Sequence, residues 1–403
     1  MAERKNEPKT EPRTQPETQV TSERGAECKM ESTSEPRPEF KTERLFINMG
    51  PQHPSTHGVL RLGLTIEGER VVDVFPDVGF LHRGIEKLAE KRTYLQFIPL
   101  TDRLDYLAAM SNNLAFVLAV ESLLEVEVPR RASFIRVIVA ELSRLASHLV
   151  WLGSFANDLG AVTPLLYCFR EREDILDALE VLCGARMTFN YVRFGGVARD
   201  ATPEFVEKCR KFLDTFDKRV DEYEKLLTNN AIFVNRTKGV GILTREDAIS
   251  YATSGPMLRG SAIKWDLRKD APYLVYPEMD FMIPTGTVGD VWDRYVVRVI
   301  EMRQAARIIR QALDGLPEGD FKAKLPRALK PAKGEAYSRV EAPKGELGFY
   351  VISDGTTNPY RVKIRAPSFI NLAAITAMTK GALIADLVAI LGSIDIVLGE
   401  VDR

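Results

Sequence analysis

Between Arg144 and Arg170 the chain carries a single full charge, Asp158. A stretch of that length could cross a bilayer, which takes about 20 apolar residues. Asp158 sits near its middle, however, where insertion would cost about 2.5–3.5 kcal/mol, and Gly153, Asn157, Gly160 and Pro164 punctuate the run. The better reading is a helix wrapped in protein, and no other stretch competes as a span, so an integral membrane protein is not expected. A helix that is apolar on nearly every face needs neighbours on every face. Pro129 suits its first turn, and Phe134, Ile138, Leu142, Leu145 and Leu149 continue it. Glu141, Arg144 and His148 fall at i, i+3 and i+7, one polar stripe on an otherwise apolar rod. The stripe reads equally as a solvated face or as a buried ionic network. Asp158 is expected to be buried, and a buried carboxylate needs a partner. A histidine would serve, and its pKa would rise as a result.

The remaining chain offers enough material for such a core. Of 403 residues, 45% are hydrophobic and 28% charged, with 55 Lys and Arg against 56 Asp and Glu. A formal charge of −1 removes the electrostatic case for nucleic-acid binding. Four cysteines argue against a disulfide-stapled secreted module. Residues 1–39 contain no Leu, Ile, Phe, Tyr or Trp but five prolines, and read as a disordered tail. They resemble neither a secretory signal, for want of an apolar run, nor a transit peptide, for excess of acid.

The expected fold class is α+β, a helical core with β elements at both sequence ends. Residues 40–80 read as a β region, with a hairpin turn at Glu67-Gly68-Glu69-Arg70. Residues 81–313 read as the helical core. One helix is predicted from Thr93 to about Glu125, interrupted in its first turns by Pro99, and others over about Pro164–Cys183, Pro203–Leu227 and Val288–Leu313. Residues 314–334, rich in Gly, Pro and Lys, read as a linker. Residues 335–403 read as strands Ala336–Glu341, Glu346–Ser353 and Tyr360–Arg365, followed by helices over Ser368–Lys380 and Ala382–Gly392.

Chemistry-bearing residues are few. Only four histidines occur, and two stand on the loop Gly50-Pro51-Gln52-His53-Pro54-Ser55-Thr56-His57-Gly58. Imidazoles on a stiff loop could be metal ligands, acid–base groups, donors to a ligand, or plain partners of local backbone. Zinc would need two more ligands, and no Cys-x-x-Cys or second His pair lies nearby. Tyr94 and Tyr106 flank a segment that reads first as an amphipathic helix with its rings in the core, although a phenol facing a cavity could donate to a carbonyl ligand. Gly239-Val240-Gly241 lacks the third glycine of a dinucleotide fingerprint.

The loop, however, sits in Asn48-Met49-Gly50-Pro51-Gln52-His53-Pro54-Ser55-Thr56-His57-Gly58-Val59-Leu60-Arg61-Leu62. It is followed by Phe80-Leu81-His82-Arg83-Gly84-Ile85-Glu86-Lys87, the Tyr94–Tyr106 segment, Glu141-Leu142-Ser143-Arg144-Leu145-Ala146-Ser147-His148, Gly289-Asp290-Val291-Trp292-Asp293-Arg294-Tyr295, Arg365-Ala366-Pro367-Ser368-Phe369 and Gly399-Glu400-Val401-Asp402-Arg403. Together these resemble the D-subunit family of respiratory NADH–quinone oxidoreductase (complex I), over about residues 44–403. That family is related to the large subunit of nickel–iron hydrogenases, so a hydrogenase-like long-helix bundle is implied. The hydrogenase metal-binding cysteines would align with Asp105, Ala108, Val397 and Glu400, none of them cysteine, so no metal is expected on this chain.

The resemblance implies a proton-pumping enzyme in which this chain forms the quinone site with a neighbouring iron–sulfur subunit. His57 and Tyr106 resemble the pair that binds the quinone headgroup, His53 a second loop histidine nearby, and Asp158 the aspartate partner of His57. Arg83 resembles an arginine beside the terminal 4Fe–4S cluster, whose cysteines belong to the neighbour. Quinone enters as substrate, and this chain alone binds no cofactor. The implied partners are the iron–sulfur B subunit, the C and I subunits and the membrane H subunit of the complex, with a peripheral location on the cytoplasmic side of a bacterial inner membrane. Asp158 would hold His57 protonated until proton transfer and then reorient. The alternatives are a structural subunit on the same frame without quinone contact and, more remotely, a hydrogenase. Many relatives carry an extra helical segment where this chain has only Leu316–Gly334.

Overall fold

The computed structural model describes residues 43–53 and 56–403; the tail expected over residues 1–39 lies outside them. In Arg61-Leu62-Gly63-Leu64-Thr65-Ile66 every second side chain is a large aliphatic, and Leu62, Leu64 and Ile66 are buried on one face. This strand, β2 (Arg61–Glu67), is the middle of a three-stranded antiparallel sheet between β1 (Arg44–Met49) and β3 (Arg70–Asp77). A bulge at Thr65/Ile66 shifts the register of β2 against β3. The hairpin turn falls where the sequence places it.

A short helix α1 (Ile85–Glu90) leads to α2 (Tyr94–Thr101), whose Thr93 and Gln96 form a reciprocal capping box. The predicted helix through Glu125 is broken. Pro99 lies inside α2, which stops two residues later, and helix resumes only at α3 (Ala109–Leu124). Side chains stitch the break: Asn113 Nδ2 donates to Thr101 Oγ1 at 2.9 Å, and the Asn190 amide donates to Asp102 at 3.0 Å.

The long helix α4 runs Arg130–Asp158, capped by Pro129, and is buried almost without interruption from Arg131 to Ala156. Gly153 and Asn157 do not end it. Gly153 instead admits α5 (Val162–Cys183), because a Cβ there would lie 3.1 Å from the Leu165 Cα and 3.4 Å from the Cys168 Cβ. Gly153→Leu is therefore expected to wedge the two helices apart and cost about 1–3 kcal/mol, read as a lowered denaturation midpoint with unchanged slope.

A two-residue ribbon, β4 (Val192–Arg193) and β5 (Gly196–Val197), precedes α6 (Pro203–Leu227), which has Thr202 as its cap and Pro at its first turn. Four short helices follow: α7 (Ala231–Thr237), α8 (Arg245–Ser250), α9 (Pro256–Gly260) and α10 (Leu267–Asp270). The second long core helix, α11 (Val291–Asp314), packs against α4, α6 and α9. The segment to Lys333 is largely irregular, as its composition predicts.

A second antiparallel sheet, β6 (Gly334–Ala342), β7 (Gly345–Ser353) and β8 (Arg361–Arg365), lies against α3. The β6–β7 register closes at Ala342↔Gly345, leaving Pro343-Lys344 as the tip, and that tip is driven inward: Lys344 is 1% exposed. The terminal helices are α12 (Pro367–Ala373), α13 (Ile375–Thr379), α14 (Ile384–Ile394) and α15 (Leu398–Asp402), so the helix predicted over Ser368–Lys380 is two pieces broken at Ala374. The class is thus α+β, a helical core with small sheets from both sequence ends. Among the described residues no helix is long and apolar enough to cross a membrane.

Candidate functional site

The histidine loop is held from within. Thr56 is fully buried, and its hydroxyl donates to the His53 carbonyl at 2.9 Å, while its amide donates to the same oxygen at 3.1 Å. Gly50, at φ +84°, could not carry a side chain, because a Cβ would lie 2.2 Å from the Leu60 carbonyl. His57 itself adopts φ 55°. A left-handed conformation is uncommon for a side-chain-bearing residue and concentrates where surroundings fix it for use.

Its imidazole faces a cleft of about 200 Å³, shared with Tyr106, Asp158, Trp151, Phe155 and Asp395. The break between α2 and α3 supplies Tyr106. With the backbone released from helix, Asp105 turns inward and is buried, whereas Tyr106 stays 39% exposed and faces the cleft. Of the two phenols in that segment, Tyr94 is the core residue and Tyr106 the cavity residue. Trp151 and Phe155, stacked at 5.2 Å on α4, form an apolar wall, and the Trp151 indole donates to the Gly392 carbonyl at 2.8 Å. A larger hollow of about 500 Å³, lined by Arg193, Lys322 and Arg327 among Leu and Pro side chains, contains neither His nor Tyr.

Two expectations are corrected here. Asp158 is exposed, not buried, because it is the last residue of α4 and projects beyond the packed part of the helix. Surrounding protein still raises its pKa, and the charge that opposes this rise belongs to His53, not His57. The expected raised pKa of His57 is likewise reversed: although the residue is exposed, desolvation of its ring by surrounding protein, and then repulsion from Lys344, lower it. No hydrogen bond or ion pair between Asp158 and His57 occurs among the described residues. The buried histidine–carboxylate pair is instead His148 Nε2 with Glu301 Oε2, at 3.1 Å. Even there burial outweighs the carboxylate and brings His148 down to about 4, so that it stays neutral.

Beneath the cleft lies a cluster the residue patterns did not reveal. The Lys344 ammonium stands 3.2 Å from Asp105 Oδ2, 3.8 Å from Asp395 Oδ2 and 2.6 Å from Ser147 Oγ. Glu400 faces Asp105 and Lys344 and accepts the Ser368 amide at 2.9 Å. Asp105 and Glu400, far apart in sequence, therefore meet around a lysine. Burial would lower Lys344, but Asp105, Asp395 and Glu400 outweigh it and hold its pKa above the usual range. Burial raises Asp395 to about 6 and pushes Glu400 well above an ordinary carboxyl.

The stripe of α4 resolves as the buried network. Glu141 accepts from Arg144 at 3.0 Å, from Arg268 at 3.1 Å and from Tyr276 at 2.6 Å. Arg268 also grips Asp266 at 2.7 Å, and Arg259 holds Glu341 at 2.8 Å and Glu301. Burial alone would raise Glu141, but Arg144 and Arg268 outweigh it and keep it ionised.

Arg83 joins the two sequence ends. Its guanidinium donates to the Arg103 and Gly399 carbonyls, each at 2.8 Å, and its charge acts on Tyr106. The C-terminal Asp402 takes the Gly79 and Leu81 amides at 2.9 and 2.6 Å, fixing the segment that carries Arg83.

Fold and cleft together define a site of hydrogen-bond donors on a mainly helical α+β frame, and known proteins were compared with it. Residues 158–333 and 321–403 match the family model described as the 49 kDa subunit of respiratory-chain NADH dehydrogenase. The D subunit of NADH-quinone oxidoreductase from Dehalococcoides mccartyi is 57% identical over 365 residues, covering 90% of this chain and 100% of that protein. The namesakes from Desulforamulus reducens and Geotalea uraniireducens are 56% and 55% identical, each covering 90% of this chain and 99% of its own length. The chain belongs to this 49 kDa, or D-subunit, family of respiratory complex I.

Proposed function

We propose that this chain forms the quinone-reducing cleft of an NADH–quinone oxidoreductase, with His57 and Tyr106 as donors to the quinone carbonyl oxygens. The observation that carries the reading is that these two groups, from segments about 50 residues apart, line one cleft with an apolar aromatic wall. A cavity of about 150 Å³ takes a benzene ring, so the cleft has the scale of one headgroup.

Reduction of quinone to quinol consumes two electrons and two protons, and negative charge develops on both oxygens. A donor at each oxygen stabilises that charge and supplies a proton to it. His57, kept neutral near pH 7 by its lowered pKa, donates through a ring N–H. Partial desolvation at the cleft wall, followed by the Asp105 charge, raises the pKa of Tyr106 and keeps its phenol protonated, ready to donate. Asp158 lines the cleft and feels the charge of His53. Electrons would come from a 4Fe–4S cluster of the neighbouring B subunit, approaching from the Arg83 side. The C, I and H subunits are the further partners in this reading, with the assembly peripheral on the cytoplasmic face of a bacterial inner membrane and coupled to proton translocation.

Tyr106→Phe removes one donor and keeps the ring. In membranes it should lower donor-to-quinone activity by roughly a hundredfold to a thousandfold while donor-to-ferricyanide activity persists. Quinone reduction at the parental rate would return Tyr106 to a packing role and favour the structural reading.

A further inference from the structure

Among groups the quinone chemistry above does not use, the Lys344 cluster has the most unusual charge balance. Three carboxylates, Asp105, Asp395 and Glu400, are each at most 6% exposed, as are their neighbours Lys344 and Arg298. Asp395 faces Lys344, Arg298 and Asp105; Glu400 faces Asp105, Lys344 and Ser368; Lys344 faces all three carboxylates and Ser147. Arg298 is not theirs alone, for its charge also serves Glu301. Two cations, one of them shared, cannot neutralise three ionised carboxylates in so dry a place, so one carboxyl must keep a proton at neutral pH.

The position of the cluster gives that proton an outlet. Asp395 is at once a neighbour of Lys344 and a wall of the cleft that holds His57 and Tyr106. Asp105 is the residue before Tyr106. The geometry points to a function: we propose that Asp105, Asp395, Glu400 and Lys344 form a buried proton store that reloads Tyr106 through Asp395 after each turnover.

The proposal rests on the quinone reading, and its balance is simple. A neighbouring one-electron carrier delivers two electrons in succession; Tyr106 gives its phenolic proton to one quinone oxygen, neutral His57 passes its N–H proton to the other while taking one from water at its second ring nitrogen, and quinol leaves. Tyr106, now a phenolate, takes the proton of Asp395. Asp395 is reprotonated from Glu400 by way of the Lys344 ammonium, and Glu400 refills from bulk water more slowly.

The test uses the assembled complex in membranes. Glu400→Gln keeps the shape of the protonated side chain and removes the exchangeable proton. Near pH 8 it should reduce quinone reduction about tenfold, but near pH 6, where free protons are about a hundredfold more plentiful, by less than about threefold. Ferricyanide reduction should be unaltered, and Glu400→Asp should restore the parental pH profile. Asp395→Asn, measured in parallel, should show the same pH-graded loss and stands in if Glu400→Gln does not assemble. A loss equal at all pH values would make the cluster structural and overturn the proposal, as would a parental rate and profile in both variants. Intact quinone reduction in Tyr106→Phe would instead overturn the quinone reading itself. A damaged Tyr106→Phe beside a pH-flat Glu400→Gln would remove the store alone.

Discussion

Replacing Arg268 by Met is expected to destabilise this protein by about 3–5 kcal/mol, because it leaves buried carboxylates without their cation. Arg268 is fully enclosed and reaches Glu141 at 3.1 Å and Asp266 at 2.7 Å. Arg144 still serves Glu141, and Arg259 still approaches Asp266 at 3.6 Å, so the site is weakened rather than emptied. The size of the loss comes from desolvated charge, not from the methylene packing that Met retains. Adding Asp266→Asn to Arg268→Met should therefore recover part of the loss, since the second substitution removes the charge the first one orphans. Pulse proteolysis of the assembled complex would read both. Equal sensitivity of the single variant and the parent would show the network to be dispensable for stability.

Lys344→Met should cost a comparable 3–5 kcal/mol or so at neutral pH, with a distinctive pH dependence. Lys344 has a folded pKa above its ordinary value, so its contribution is fully present throughout the neutral range and fades only at strongly alkaline pH. Without it, Asp105, Asp395 and Glu400 repel one another, and the folded state holds more protons than the unfolded chain. Stability of the variant then falls as pH rises. The deficit relative to the parent should be small near pH 5, where carboxyls are protonated readily, and large near pH 8. Thermal midpoints at those two pH values test it, and a deficit independent of pH would show that Lys344 acts by packing alone.

How much of this was legible beforehand differs by element. Helix α6 could be read to its limits, Pro203–Leu227, because Thr202 caps it, proline opens it and its apolar face repeats cleanly. The break between α2 and α3 could not. No glycine marks it, and its stability comes from Asn113, Asn190 and the inward pull on Asp105, all partners distant in sequence. The polar stripe of α4 was visible as a stripe, but only the arginines of α9 and α10 decide that it is buried. His57 and Tyr106 stood out through resemblance, whereas residue patterns alone left both open. Asp158 misled because a low-charge stretch does not say on which turn the helix emerges. Lys344 was invisible, since Pro-Lys-Gly between two strands is the ordinary signature of a solvated turn.

That last residue has a practical side. Hairpin tips are usually where a chain tolerates added sequence, and epitope tags or fluorescent reporters are commonly spliced into them. In the β6–β7 hairpin the rule inverts. The connection is a plunger whose stroke is set by the depth of one ammonium group, so one extra residue would withdraw the charge from its three carboxylates. The exposed Asp354-Gly355-Thr356 turn, one strand later, is the place on this sheet where a label can be carried without disturbing what lies beneath the cleft.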